Sequence, residues 1–543
     1  MKNQPFLWVL ALLCLGFACR QKMPAEQMAS STTGMVSAAH PLATLAGQQM
    51  LKKGGNAADA AVASAFALAV VEPSMSGLGG RQQIIIRLPN GEIRGIDATS
   101  QAPMAYDTAS IPNDDRHGYY VIGIPGVVAG LGKLHAEYGS LPLAEVMAPA
   151  IGYAERGFRL LPRQALRHEA AAGTMAFYAG TTQYLLEEDS SAYDEGDRLV
   201  QKDLANTLRT IAREGPDAFY RGAIAQRMVD DFAANGGLVT LEDLANYQAL
   251  DSRVVHGSYR NEYELHGLWL PSYGAITISI LQALDRLPLD EYSEEDWAAA
   301  HGLAIDLAYE HRWRQRRSDS IADRLVSAEF ADSLARVIRA RMQEGQLSYW
   351  SGQEPNSWRE PVGHTSHLST ADSSGMMIAL TQSLGPNMGS KVMTPGLGFV
   401  YAVTNGRYLG IYEPGQRASS HITPFIVTHK GEPFLVLGAA GGSRIVSAVT
   451  SVTSRVIDQN MPLDEALAAP RVHPDSDSLQ METHPGDGWK DEVIEALEQA
   501  GYPLKVINEE ARFGRIHAIR YDAPTGQWIG AADPDWEGAA AGN

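Results

Sequence analysis

The stretch "VGHTSHLST" (362–370) sets a threonine between two histidines and follows it with a serine, where the sequence changes texture. Residues 340–361 ("ARMQEGQLSYWSGQEPNSWREP") are mostly polar, contain prolines and lack periodicity, so they read as an exposed loop. From His367 onward "HLSTAD", "SSG" and "MMIALTQS" read as strand, turn, strand. Thr365 therefore opens a strand directly after a loop. A threonine so placed has a particular option. Its hydroxyl can attack the carbonyl of His364, move the chain onto an ester and let water cut it. The freed α-amine, with an ordinary pKa of roughly 7.7–8.0, can then accept the hydroxyl proton, so nucleophile and base share one residue. Taken alone, "HTSH" is weak evidence and reads more readily as the polar end of a buried strand.

Upstream, in "NAADAAVASAFALAVV" (56–71), Ala60 to Val71 is apolar on every side, which belongs to a core helix, with Asn56 and Asp59 at its start as caps. "SGLGG" (76–80) ends it with backbone that other groups can approach closely. Residues 82–98 read as a hairpin around "PNGE". From 140 to 340 the periodicity is mostly helical, with stops at Gly215-Pro216 and Gly236-Gly237, and further strand-like runs lie at 396–403, 424–428 and 433–438. Helices followed by a late block of strands predict a layered α/β domain with its junction at the loop before Thr365.

A chain of 543 residues, 45% hydrophobic and 20% charged, can bury a large core. Its net charge of −19 disfavours nucleic acid and anionic membrane surfaces as partners. The first residues read as an export signal: Lys2, the apolar run Phe6 to Phe17, then Gly16-Phe17-Ala18 before Cys19. A bacterial lipoprotein signal is similar and would place lipid on Cys19, although Gly16 stands where such signals carry leucine. Plain secretion with cleavage after Ala18 is the alternative. Residues 19–40 then read as a tether. Cys14 and Cys19 are the two cysteines, so the body has no thiol nucleophile, disulfide or thiolate metal site. No His/Asp/Glu spacing suggests zinc, "GPNMGSK" (385–391) has the wrong order for a phosphate loop, and no cofactor is expected.

Several motifs occur in one order: "NAADAAVA…VVEPSMSGLGG", "GIPGVVAGL" (123–131), "YGSLPLAEVMAPAIGYAERGF" (138–158), "GDRLVQKDLANTLRTIAREGPDAFYRG" (196–222), "NGGLVTLEDLANY" (235–247), "HTSHLSTAD" and "GAAGGSRI" (438–445). Together, from about residue 30 to the end, they resemble the γ-glutamyltransferase (glutathione hydrolase) family. The resemblance implies a four-layer αββα sandwich of the N-terminal nucleophile hydrolases. It further implies a proenzyme cut between His364 and Thr365 into a large piece (41–364) and a small one (365–543) that stay associated. Thr365 matches the nucleophile and Ser383 the second hydroxyl that assists cleavage. Gly441 and Gly442, before an apolar helical stretch with Ser443 as its cap, can hold an oxyanion on backbone N–H groups.

The head-group pocket departs from the family pattern. Thr99 stands where the arginine that clamps the substrate carboxylate is expected, and Gly385 where an asparagine is. Arg407 falls at the acidic partner of the substrate ammonium, and the paired serines become Ser420 and His421. Arg407 and Arg81 are therefore expected to favour an anionic substrate group. The implied activity is a small-molecule amide or peptide hydrolase, with water or an amine as acceptor. The alternatives are an acylase of the same fold acting on dicarboxylic or other amides, and a non-catalytic surface lipoprotein that binds a ligand.

Overall fold

The computed structural model describes residues 26–310, 319–344, 364–475, 477–483 and 488–543. The signal segment, Cys19 and residues 345–361 of the loop read before Thr365 lie outside the described residues.

Two seven-stranded antiparallel sheets face each other. In chain order their strands are β1 (Met28–Ser31), β2 (Gly34–Ala38), β3 (Arg81–Arg87), β4 (Ile93–Ala98), β5 (Leu250–Asp251), β6 (Val254–Tyr259), β7 (Tyr263–Leu268), β8 (His364–Asp372), β9 (Met377–Gly385), β10 (Phe425–His429), β11 (Glu432–Ala440), β12 (Arg515–Asp522), β13 (Gln527–Ala532) and β14 (Ala539–Gly542). The first sheet runs β14-β2-β8-β9-β3-β4-β5 and the second β1-β13-β12-β11-β10-β7-β6. Side chains alternate along each strand. Ile85, Ala371 and Ala379 therefore point inward and meet Ile426, Val436 and Ile519 of the second sheet. Ile84, Ile86 and Leu380 point outward into the helical layer.

That layer is built on α1 (Pro41–Lys52) and α2 (Ala57–Val71). The Asn56 side chain accepts the amides of Ala58 and Asp59, while the Asp59 carboxylate accepts the Asn56 amide. This reciprocal cap satisfies amides that the helix itself leaves open. All fifteen residues of α2 are buried, and small side chains let α1 lie so close that a Cβ on Gly47 would stand 2.4 Å from the Ser64 hydroxyl. On the other side α3 (Gly274–Leu284), α4 (Glu294–Glu310), α5 (Ala328–Glu344) and α6 (Arg444–Asp458) cover the second sheet. The result is the expected αββα sandwich.

Three local expectations are corrected. The tether does not reach residue 40: β1 and β2 are strands, and β2 is buried throughout, pairing with both β8 and β14. Residues 340–344 are the last turn of α5, an amphipathic helix whose polar face resembles loop sequence. The run 396–403 forms isolated bridges (Met393 with Val400, Gly79 with Tyr401) because Gly396 and Gly398 take φ values of +82° and +76°, which an extended strand does not admit.

Candidate active site

Thr365 is the second residue of β8 and is 4% exposed. Ser383 is its register partner on β9, and Arg81 on β3 is the partner of Ser383. The three side chains therefore form a row at one end of the inter-sheet space. The register breaks here, since His364 pairs with Gly385 while Thr365 pairs with Ser383. Leu384 is the extra residue; its amide donates to Met75 and its carbonyl accepts from Val403. The bulge thus falls at the His364–Thr365 junction, and bulges re-aim side chains next to such sites.

A short relay of hydrogen bonds crosses this bulge. Thr365 Oγ1 donates to Ser383 Oγ at 3.1 Å, and Ser383 Oγ donates to the His364 carbonyl oxygen at 3.0 Å. The Gly385 amide donates to Ser383 Oγ at 3.0 Å and fixes the rotamer. Ser383 therefore touches both the hydroxyl and the carbonyl that an N-to-O acyl shift would join. The His364 imidazole receives Arg167 Nη1 at 2.8 Å. Burial, then the cations of Arg167, Arg515 and Lys391, hold its pKa far below the usual histidine range. It is neutral in the working pH range.

Ser366 points to the opposite face, where its hydroxyl donates to the Glu72 carboxylate just past the end of α2. Trp536 Nε1 also donates to Glu72, at 3.3 Å, and the Arg515 guanidinium lies 4.4 Å above the Trp536 ring. Burial pushes the Glu72 carboxyl up to about 7, against the pull of Ser366, Trp536 and Arg515. This cluster of Glu72, Arg167, Arg515 and Trp536 was not legible as a unit. Glu72 lies inside a quoted motif, but its partners stand hundreds of positions away with no periodic signal.

Gly441 and Gly442 follow β11 with φ of +143° and +62°. A Cβ on Gly441 would lie 2.9 Å from Gly514 Cα, so only glycine fits. Two contacts put this turn at the Thr365 end of the sandwich. Gly438 faces His367 so closely that a Cβ there would stand 2.3 Å from the imidazole. Arg515, the partner of Ala440, is one of the cations acting on His364. Ser443 begins α6 without a side-chain cap, which corrects its expected role. Its hydroxyl faces His473 Nε2 at 3.5 Å, and its carbonyl accepts from Tyr309 at 2.9 Å. His421 packs on Tyr273 and Tyr309, with ring centroids 4.8 and 6.0 Å away, which sets Ser420 and His421 beside the same turn.

The two arginines differ. Arg407 is half exposed, and its backbone amide and Nη1 both donate to Asp115, at 2.6 and 3.3 Å. Its Nη1 also donates to the Pro112 carbonyl, so it ties two loops together instead of standing among the row residues. Arg407, expected to face a substrate anion, thus already has a carboxylate partner in Asp115. Arg81 is 1% exposed, and neither of its terminal nitrogens has a hydrogen-bond partner among the described residues. Burial lowers its pKa, opposed by the nearby phenols of Tyr408 and Tyr412. Its Nη2 would lie 2.6 Å from a Cβ on Gly385, where φ is +94°. Gly385 thus makes room for Arg81. Thr99 is no clamp: its hydroxyl accepts from Gln83 at 2.6 Å.

The family model for gamma-glutamyltranspeptidase matches residues 43–543. Among curated proteins, the chain is 34% identical over 544 residues to the "Acylase ACY 1 proenzyme" of Pseudomonas sp. (strain SE83), covering 95% of this chain and 94% of that protein. It is 30% identical over 552 residues to the "Glutathione hydrolase proenzyme" of Escherichia coli (strain K12), covering 92% and 90% respectively. The solved cephalosporin acylase from Bacillus halodurans superposes with a TM-score of 0.82 at 26% identity, over 95% of this chain and 96% of that one.

Proposed function

The chain belongs to the gamma-glutamyltranspeptidase family of amide hydrolases and acylases, and from that premise we propose that it is an exported, self-cleaving enzyme whose nucleophile is Thr365. The relay from Thr365 Oγ1 through Ser383 to the His364 carbonyl, set on a register bulge, carries the reading. In maturation the Thr365 hydroxyl attacks the His364 carbonyl carbon while Ser383 donates to the carbonyl oxygen. The C–N bond breaks as the hydroxyl proton passes to the nitrogen, and an ester joins His364 to the Thr365 oxygen. Water then hydrolyses it, leaving a carboxylate on His364 and a free amine on Thr365.

The same chemistry serves turnover. The Thr365 amine takes the hydroxyl proton, the oxygen attacks the substrate amide, and the Gly441 and Gly442 amides stabilise the oxyanion. The leaving amine departs protonated, and water or another amine resolves the acyl ester.

Purified protein should run on a denaturing gel as two pieces, the smaller being residues 365–543, about 19 kDa of a 58.7 kDa chain. Its N-terminal sequence should read Thr-Ser-His-Leu. Thr365→Ala should give one band and no activity, because both reactions need the hydroxyl. A single band from active wild type would overturn self-cleavage. Export rests on the first nineteen residues. If Cys19 carries lipid, Cys19→Ser should move the protein from the membrane to the soluble fraction; an unlipidated mature terminus would favour plain secretion.

A further inference from the structure

Among the described residues, Arg81 is a buried cation with no counter-ion within hydrogen-bond reach of its terminal nitrogens, beside the proposed nucleophile. An unpaired buried charge is costly, and structures retain one chiefly where something else supplies the opposite charge. Three observations say what supplies it. The row Thr365, Ser383, Arg81 puts the arginine two strands from the nucleophile on the same face, about 10 Å between Cα atoms at ordinary strand spacing. Gln82 pairs with Ala98, so Thr99 leaves β4 abreast of Arg81. The family's clamp position is therefore one strand further out, and here it holds a threonine already bonded to Gln83. Finally, the guanidinium reaches back over Gly385, the partner of His364, into space that an asparagine side chain would fill.

We infer that Arg81 is the specificity residue of this site, receiving the terminal carboxylate of a dicarboxylic acyl group, such as glutaryl or succinyl, that carries no α-amine. The cation has moved one strand toward Thr365, and the Gly385 departure is what admits it. The Tyr408 ring stands over the same Gly385 position as the guanidinium, and a phenol there leaves the positive charge unbalanced. An ammonium next to it would be repelled, and Asp115, the carboxylate beside Arg407, is already held by that arginine.

The inference rests on Thr365 acting as proposed, and the test separates the two. Glutaryl-, succinyl-, pentanoyl- and γ-glutamyl-p-nitroanilide are compared on wild type and on Arg81→Gln. Glutaryl or succinyl should exceed pentanoyl and γ-glutamyl in kcat/KM by about a hundredfold, the scale of a lost buried charge pair. Arg81→Gln should bring the ratio near one, mainly through KM. Glutarate binding to the Thr365→Ala protein, followed by calorimetry, gives a readout that needs no catalysis. Binding lost in the Thr365→Ala, Arg81→Gln double variant sustains the anion site even if wild type proves uncut and inactive. Equal turnover of pentanoyl and glutaryl amides, a preference for γ-glutamyl, a preference that survives Arg81→Gln, or absence of glutarate binding each overturns it.

Discussion

Arg81 and Arg471 are each 1% exposed, yet they sit in opposite electrostatic settings. Arg471 donates to Asp533 at 2.7 Å, to the carbonyls of Leu467 and Gly514, and stands 3.7 Å from Glu482. The field of those carboxylates raises its pKa despite burial. Arg81 has no such shell among the described residues, and burial lowers its pKa. A buried charge alone therefore says little about function. What distinguishes a structural cation from a ligand-seeking one is whether the fold itself neutralises it.

Removing each cation is the strongest way to break this contrast. Arg471→Met should cost about 3–5 kcal/mol, because Asp533 is left buried and uncompensated. Denaturant unfolding measures it, and a loss under about 1 kcal/mol would mean the cluster is not the anchor that its geometry describes. Arg81→Met removes a charge with no internal partner, so the same measurement should show no loss.

Glu72 tests a third buried charge, intermediate between the two. Its folded pKa is raised to about 7 from 4.5, so the folded state holds a proton that the unfolded chain releases. The stability it contributes is present below pH 4.5 and is lost as pH rises through about 7. The neighbouring buried histidines slope the other way: His40 is lowered to about 3 and His168 to about 4, so their contribution is lost as pH falls. The informative quantity is therefore the difference between wild type and Glu72→Gln. Relative to the variant, wild type should lose up to about 3 kcal/mol between pH 4.5 and 7.5, at 1.36 kcal/mol per pKa unit. A difference that does not vary with pH would place the carboxylate in contact with water.

The smallest effect concerns the space beside Arg81. Gly385→Asn should cost about 1–2 kcal/mol through its positive φ and its collision with the guanidinium. Arg81→Gly should relieve the collision, so that the double variant costs less than the two changes summed by about 0.5 kcal/mol or more. Strict additivity would deny that Gly385 and Arg81 are coupled.

The candidate site's backbone was legible where its signals are local. "HTSH" at a loop-to-strand junction, the capped helix after Asn56 and the glycine pair before α6 each follow from residue type over a few positions. The errors arose where context overrules pattern. The serine- and alanine-rich segment 28–38 resembles a tether, yet edge pairing with β13 and β14 makes it sheet. What the pattern could not show for Arg407 is its partner, since Asp115, which holds its guanidinium, stands almost three hundred residues earlier.

Sequence by itself determined the family, the core helix after Asn56 and the threonine at the start of β8, since these depend on short-range chemistry along the chain. Tertiary structure alone decided which arginine lies abreast of Thr365. Strand register set Arg81, Ser383 and Thr365 abreast, and a glycine at residue 385 left room for a guanidinium there. Register is a property of paired backbones, and whether a charge is neutralised depends on groups that only folding brings within a few ångströms.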